Sequence, residues 1–218
     1  MRPYVSVVTP TYSRPENIPF LIAMYDKQTY PSERRELVIL DDSPEAYDSL
    51  AFERPDIRYF HMPQRLSLGR KRNILSDLAH GDLIICFDDD DEQSQYRIEE
   101  SVTAFKRESV ESVDLVGCSV IYVFYEHLKK IYHFGPYGEY HATCGTMGYT
   151  RAYAQANRFP EDVQHAEERL FTHNYTVPLR QLDPFHTILC IAHSSNTFDK
   201  TPLIPFASET AFTKADFA

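Results

Sequence analysis

Four consecutive carboxylates, Asp88-Asp89-Asp90-Asp91, follow directly on the apolar run Leu83-Ile84-Ile85-Cys86-Phe87. Like charges about 4 Å apart repel by about 4 kcal/mol at an effective dielectric near 20. Such a run at the end of a buried strand therefore calls for a neutralising partner. A divalent cation serves, and hard carboxylate oxygens suit Mg2+ or Mn2+. A solvated acidic loop is the plain alternative; the buried strand in front favours the metal. A second cluster has the opposite sign. Gly69-Arg70-Lys71-Arg72-Asn73 begins just after Ser67, a candidate helix N-cap. Cations there oppose the helix macrodipole by about 0.3–1 kcal/mol each, and a capping box would place Glu instead. A bound anion would offset that cost. Arg72, then Lys71, is the candidate anion-binding cation, with a merely exposed basic face as the alternative. A third group joins Pro10-Thr11-Tyr12-Ser13-Arg14 to Asp41-Asp42-Ser43-Pro44. An aromatic ring can stack on a nucleobase, worth roughly 1–3 kcal/mol, and a carboxylate can accept the imide N–H of uracil. The Asp41–Pro44 stretch also reads as an Asx turn that needs no ligand.

The elements that must position these groups are legible from hydrophobic pattern and turn residues. Residues 4–9, 37–40, 57–61 and 83–87 read as buried strands, and 15–27, 67–79 and 95–107 as helices, the second closed by Gly81. Strands alternating with helices imply a parallel sheet with right-handed crossovers, whose ligands bind at the carboxyl ends of the strands. Beyond Leu115 the texture changes. Residues 116–125 and 129–134 suggest a β-hairpin, 150–157 and 165–174 two short helices, and 188–192 a last strand. The stretch after Phe198 reads as a loose extension. The expected organisation is one domain over 1–218: a nucleotide-binding half (1–110), an acceptor-side half (111–200) and a tail (201–218).

Composition narrows the function classes. The chain has 218 residues, with 22 Lys+Arg against 32 Asp+Glu and a net charge of −10. An acidic chain lacks the basic footprint that nucleic acid or an anionic membrane requires. No run approaches the roughly 20 apolar residues of a membrane span, and the first residues do not read as a signal peptide. The cysteines, Cys86, Cys118, Cys144 and Cys190, show no Cys-x-x-Cys spacing. They read as reduced thiols, which points to a cytoplasmic location.

Taken in order, five segments resemble family 2-like glycosyltransferases: Val5-Ser6-Val7-Val8-Thr9-Pro10-Thr11-Tyr12, Leu37-Val38-Ile39-Leu40-Asp41-Asp42-Ser43, Lys71-Arg72-Asn73, Ala79-His80-Gly81-Asp82 and Phe87-Asp88-Asp89-Asp90-Asp91. The resemblance covers residues 4–100 closely and the rest loosely. It implies an α/β fold of the glycosyltransferase A type, with a Rossmann-like, mostly parallel central sheet and a smaller acceptor-side half. It also implies a nucleotide-sugar donor, commonly UDP-linked, and a carbohydrate or glycoconjugate acceptor. On that resemblance Thr11, Tyr12, Arg14, Asp41, Asp42, Lys71, Arg72, Asp88 and Asp89 form the donor site. Tyr12 and Asp42 take the base, and Asp88 or Asp89 the ribose. Asp90 is the main metal ligand, with Asp88 and a late histidine, His193, beside it. Cys144-Gly145-Thr146-Met147-Gly148 resembles the small-residue segment near the acceptor. The family's acidic pair maps to Glu167-Glu168, with Glu168 the expected base, Glu167 second, and Glu161 and Asp162 as rivals. An ordinary glutamate, with a pKa near 4.3, needs no tuning for that role. Inversion at the anomeric carbon is implied. The alternatives are a retaining transferase of the same fold, a sugar nucleotidyltransferase, for which the glycine-rich loop after strand one is missing, and an inactive nucleotide-sugar-binding module.

Overall fold

The computed structural model describes residues 2–48, 50–106, 112–163, 166–194, 196 and 199–217. Its first half is a β–α alternation. Strand β1 (Val5–Thr11) leads through a 3-10 turn at Pro15–Asn17 into helix α1 (Ile18–Asp26), then β2 (Arg35–Asp41), β3 (Ile57–His61), α2 (Leu68–Leu78) and β4 (Leu83–Cys86). After a short β5 (Glu92–Gln93) and α3 (Arg97–Lys106) come β6 (Leu115–Gly117), β7 (Ile121–Tyr125), β8 (Lys130–Phe134) and β9 (Gly148–Thr150). Helices α4 (Arg151–Ala156) and α5 (Glu167–Phe171), then β10 (Leu179–Gln181), β11 (Ile188–Ala192) and β12 (Ser208–Glu209), complete the set.

The main sheet runs β10-β6-β9-β4-β1-β2-β3. Strands β1–β4 are parallel to one another, and β9 alone runs against its neighbours. Val5, Val7, Leu37, Ile39 and Ile85 point to the face covered by α1 and α3, while Val8, Val38, Leu40 and Ile84 point to the face covered by α2. This two-sided burial explains why the strands read as unbroken apolar runs. β1 continues past its expected end through Pro10. Its pairing with β4 stops at Val8↔Cys86, and beyond that point the missing proline N–H costs no ladder bond. Ser67 caps α2 as expected, its hydroxyl accepting from the Arg70 N–H at 3.3 Å. Gly81 is required by close approach: a Cβ there would stand 2.5 Å from the Ser6 amide nitrogen.

The second sheet, β12-β8-β7-β11-β5, stands at the carboxyl end of β4. Here the structure departs from the sequence expectation. The expected strand 116–125 is two strands in two sheets, β6 in the main sheet and β7 in the second. The expected helix 165–174 is only α5, and residue 165 lies outside the described residues, as does residue 107 at the end of the helix expected over 95–107. The tail is not a loose extension. β12 pairs antiparallel with β8, Leu203 and Ile204 pack on the second sheet, and Phe217 is buried against Tyr122 and Phe185. Isolated apolar residues separated by prolines and turns pack there without any periodicity to reveal it.

Candidate active site

A cavity of about 580 Å3 opens at the carboxyl ends of β1, β2 and β4, the place that strand polarity assigns to a ligand. Thr11, Tyr12, Arg14, Lys71, Arg72, Asp88, Asp89 and Asp90 all line it. Three residues that sequence reasoning missed, Arg65, Asn196 and Lys200, line it too. Asn196 carried a signal in the His193-x-x-Asn196 spacing; Arg65 and Lys200 carried none. Arg65 lays its guanidinium 3.5 Å from the centre of the Tyr12 ring, so one face of that ring is covered from the outset.

The charges on this wall are matched by distant partners. Asp42, expected to meet the base, does not line the cavity: it is fully shielded behind the wall and accepts from Lys71 Nζ at 2.8 Å, from Arg65 at 2.8 Å and from the Leu66 N–H at 2.7 Å. Lys71 also donates to the Thr11 carbonyl, at 3.2 Å. Asp41 is taken up by the turn that follows: Oδ1 accepts from the Ser43 N–H and hydroxyl, and Oδ2 from the Tyr59 hydroxyl at 2.7 Å. It borders a neighbouring cavity of about 400 Å3. Arg72 is buried, donating to Glu167 at 2.7 Å and standing 3.6 Å from Asp88. The basic start of α2 is therefore offset by protein carboxylates, whereas the sequence alone suggested an anion for that purpose. One donor remains over: Arg72 Nη1 is buried without a hydrogen-bond acceptor.

The four aspartates have four environments. Asp89 accepts from Thr11 Oγ1 at 2.6 Å and from Arg14 at 2.9 Å, and burial still raises its pKa. Asp91 is buried and ties the loop to β11: its Oδ1 accepts the Ile191 N–H at 2.9 Å, and Cys190 Sγ lies 3.4 Å from Oδ2. Burial, then the neighbouring aspartates, raise its pKa to about 8. Asp88 is the most open, with 32% of its side chain exposed. Gly145 permits the approach of the loop opposite, because a Cβ there would meet Asp88 Oδ2 at 2.6 Å.

Asp90 accepts from Arg14 at 2.8 Å and from Asn196 Nδ2 at 3.0 Å, and it faces His193 Nε2 at 3.3 Å. The Asn196 amide nitrogen also lies 2.9 Å from His193 Nε2. A carboxylate oxygen and an imidazole nitrogen side by side are both ligand types for a divalent cation, the imidazole in its neutral form. Among the described residues no group of three or more His, Cys, Asp or Glu side chains forms a ready cage. Of the expected ligands, Asp90 and His193 are brought together, and Asp88 lines the cavity with Asp90 and contacts Arg72.

The acidic pair opens α5, where Ala166 adopts a left-handed conformation (φ 55°) that is costly for a residue with a Cβ. Both glutamates are buried. Glu167 is held by Arg72, and Glu168 has no ion-pair partner among the described residues. Burial, then the Glu167 charge, push the Glu168 carboxyl up to about 7. Sequence reasoning expected no such tuning. The rivals lie elsewhere: Glu161 and Asp162 are exposed, and Glu161 accepts from Asn73 at 3.0 Å. A further cavity, of about 360 Å3, meets the first at Arg72, Asp88, Asp90 and Lys200 and is lined by residues 143–145.

A mostly parallel sheet with a cavity at its strand ends and an aspartate loop beside it is the α/β architecture expected of the glycosyltransferase A type. The family model for glycosyl transferase family 2 matches residues 6–165, and the chain belongs to that family. No curated protein matches the chain. Among solved structures, residues 1–349 of S. aureus TarS in complex with UDP-GlcNAc are similar at 17% identity and a TM-score of 0.69, covering 88% of this chain and 60% of that one. TarS 1–349 alone gives 18% identity and a TM-score of 0.66. The mannosyltransferase PcManGT from Pyrobaculum calidifontis, in complex with GDP-Man and Mn2+, gives 16% identity and a TM-score of 0.66, covering 90% of this chain and 59% of that one. The chain thus spans about three-fifths of the length of these structures, and the likeness is one of fold. No helix among the described residues is long and apolar enough to cross a membrane.

Proposed function

We propose that this domain takes a nucleotide-sugar donor, UDP-linked, with Mn2+ or Mg2+ in the larger cavity and transfers the sugar, with inversion, to a hydroxyl of a carbohydrate or glycoconjugate acceptor in the smaller one. In this reading residues 1–110 serve the donor and 111–200 the acceptor. The observation that carries it is the facing of His193 by Asp90, itself on the wall of the strand-end cavity. Asp90, His193 and Asp88 would hold the cation, and the imidazole in the set favours Mn2+ over Mg2+. A cation there supplies neutralisation of the diphosphate charge. Complexes with UDP-GlcNAc and with GDP-Man and Mn2+ among the similar structures support a nucleotide-sugar donor.

The chain's own residues do the rest. Tyr12 offers its open face to the base, and Asp88 and Asp89 accept ribose hydroxyls. Arg72 Nη1 donates to the departing diphosphate. Glu168, without an ion-pair partner among the described residues and with its carboxyl pushed up to about 7, accepts the proton of the attacking hydroxyl. Glu167 holds Arg72 in place. Four buried free thiols fit a reducing compartment, in keeping with a cytoplasmic location. Calorimetric titration of UDP with and without Mn2+ tests the reading. Asp90→Ala should lose the Mn2+-dependent part of the affinity and keep the metal-independent part; the same metal-dependent affinity in the variant would refute the assignment.

A further inference from the structure

The wall of the larger cavity carries the cations Arg14, Arg65, Lys71, Arg72 and Lys200. All but the last lie against carboxylates: Arg14 against Asp89 and Asp90, Arg65 and Lys71 against Asp42, and Arg72 against Glu167 and Asp88. Lys200 is different. Its charge is felt at Asp88 and Asp91, but its ammonium has no ion pair and no hydrogen bond among the described residues. A second donor is left over beside it. Arg72 gives Nε to Glu167 and turns Nη2 toward Asp88, so Nη1 stays buried without an acceptor. Arg72 and Lys200, with Asp88 and Asp90, are the residues common to both cavities. The unmatched positive groups of this wall are therefore both at the junction, and an anion seated there would meet them together.

Lys200 is fixed from behind. The hydroxyl of the buried Tyr125 donates to the Lys200 carbonyl at 2.8 Å, and the Leu203 N–H donates to the same oxygen at 3.0 Å. Leu203 and Ile204 pack on the second sheet, and β12 pairs with β8. The segment that reads in sequence as a loose extension thus holds the backbone from which this ammonium reaches the junction on its four-carbon stem. The role that sequence suggested for Lys71 falls to it, because Lys71 is occupied with Asp42 and the Thr11 carbonyl. Lysine binds phosphate as a point charge, and a phosphate has oxygens enough for two donors at once.

We propose that Lys200 and Arg72 Nη1 together bind the sugar-bearing phosphate of the donor, giving a share of the affinity for a nucleoside diphosphate that needs no metal. The assignment rests on the transferase reading above, and its test keeps the two apart. UDP, UMP, GDP and GMP are titrated calorimetrically into the parent, Lys200→Met and Lys200→Arg, in EDTA and in Mn2+. In EDTA the parent should bind the diphosphate of its preferred nucleoside more tightly than the monophosphate. Lys200→Met keeps the stem and loses the charge. It should weaken the diphosphate at least about tenfold, leave the monophosphate unchanged, and keep the parent's gain in affinity on adding Mn2+. Lys200→Arg should restore most of the loss. Equal diphosphate binding by the parent and Lys200→Met in EDTA overturns the assignment. So does an equal loss for monophosphate and diphosphate, which would make Lys200 a support of the fold alone, and so does diphosphate binding by the parent that requires Mn2+. Inorganic phosphate is also titrated into the protein saturated with diphosphate and Mn2+. Binding there that Lys200→Met abolishes would give this cation to a phosphate on the acceptor, and overturns the donor assignment. Failure of both UDP and GDP to bind the parent even with Mn2+ overturns the transferase reading itself.

Discussion

At the ends of β1, β2 and β4 nearly every charge has an opposite beside it: Asp42 has Lys71, Asp89 and Asp90 have Arg14, and Arg72 has Glu167 and Asp88. Across Asp88, the wall of the smaller cavity carries Val123, Phe134 and Ile188 and a histidine nitrogen with nothing to bond. The larger cavity is backed by a network of matched ions, in which removal of one partner leaves a buried charge behind. The smaller cavity, away from its junction with the larger one, presents a mainly apolar surface. The first is sensitive to single substitutions by several kcal/mol, because breaking one partner of a buried pair strands the other. The second tolerates changes of shape more readily and discriminates by fit.

The sharpest probe of this contrast is the buried carboxyl of Glu168 at the start of α5. Glu168→Gln keeps the side chain's size but cannot accept a proton, so transfer should fall about 10²–10⁴-fold while UDP affinity stays unchanged. Steady-state rates and titration on one preparation decide it, and near-normal transfer would move the base to Glu167. Next in size is Arg72→Glu. It would place a third buried carboxylate beside Glu167 and Asp88 and should cost at least about 3–5 kcal/mol in urea unfolding. An equally stable variant would show that the network is solvated and the contrast false.

A subtler effect follows from the raised pKa of Glu168. Below pH 4.5 the carboxyl is protonated in both the folded and the unfolded chain. Between 4.5 and about 7 the unfolded chain releases the proton and the folded protein keeps it, so this residue's contribution falls as pH rises. Glu168→Gln should therefore match the parent near pH 4 and exceed it above pH 7, by on the order of 2–3 kcal/mol. Urea midpoints at the two pH values check the sign. Smallest of all, Arg65→Ala removes a half-exposed cation from Tyr12 and Asp42, where Lys71 still neutralises the carboxylate. Stability should drop by no more than about 1 kcal/mol, and a larger loss would make Arg65 part of the buried network.

The parallel strands and helices of the first half were legible because each carries its own signal. The apolar runs at β1, β2 and β4, Ser67 at the start of α2 and the aspartate row after β4 are contiguous stretches of chain. What escaped detection was pairing at long range. Nothing near Lys71 in sequence says that Asp42 will neutralise it, and nothing in Asp88-Asp89-Asp90-Asp91 separates Asp91, which anchors a strand, from Asp90, which faces His193. Likewise Asp41 is taken by Ser43 and Tyr59, as an Asx turn would have it. In the second half β5, β9, β10 and β12 are two or three residues long, too short to show a period. Phe217 is an isolated apolar residue whose burial depends on Tyr122 and Phe185 arriving from elsewhere. The acidic pair at Glu167-Glu168 was visible, but its burial, and so the raised pKa of Glu168, was not.

The bond between Asp91 and the Ile191 amide spans 100 residues of sequence, and this has a consequence for synthesis. On the ribosome the aspartate row appears first and must wait for β11. At roughly 5–20 residues per second the delay is about 5–20 s, long compared with the collapse of a chain this size. During that interval β1–β4 can pair, while the aspartate loop stands open to water and to any cation present, without the strand that brings His193 opposite it. The nascent first half therefore already has Arg14 and Arg72 to set beside Asp88, Asp89 and Asp90, while Asp91 stays without the Ile191 amide until β11 is made.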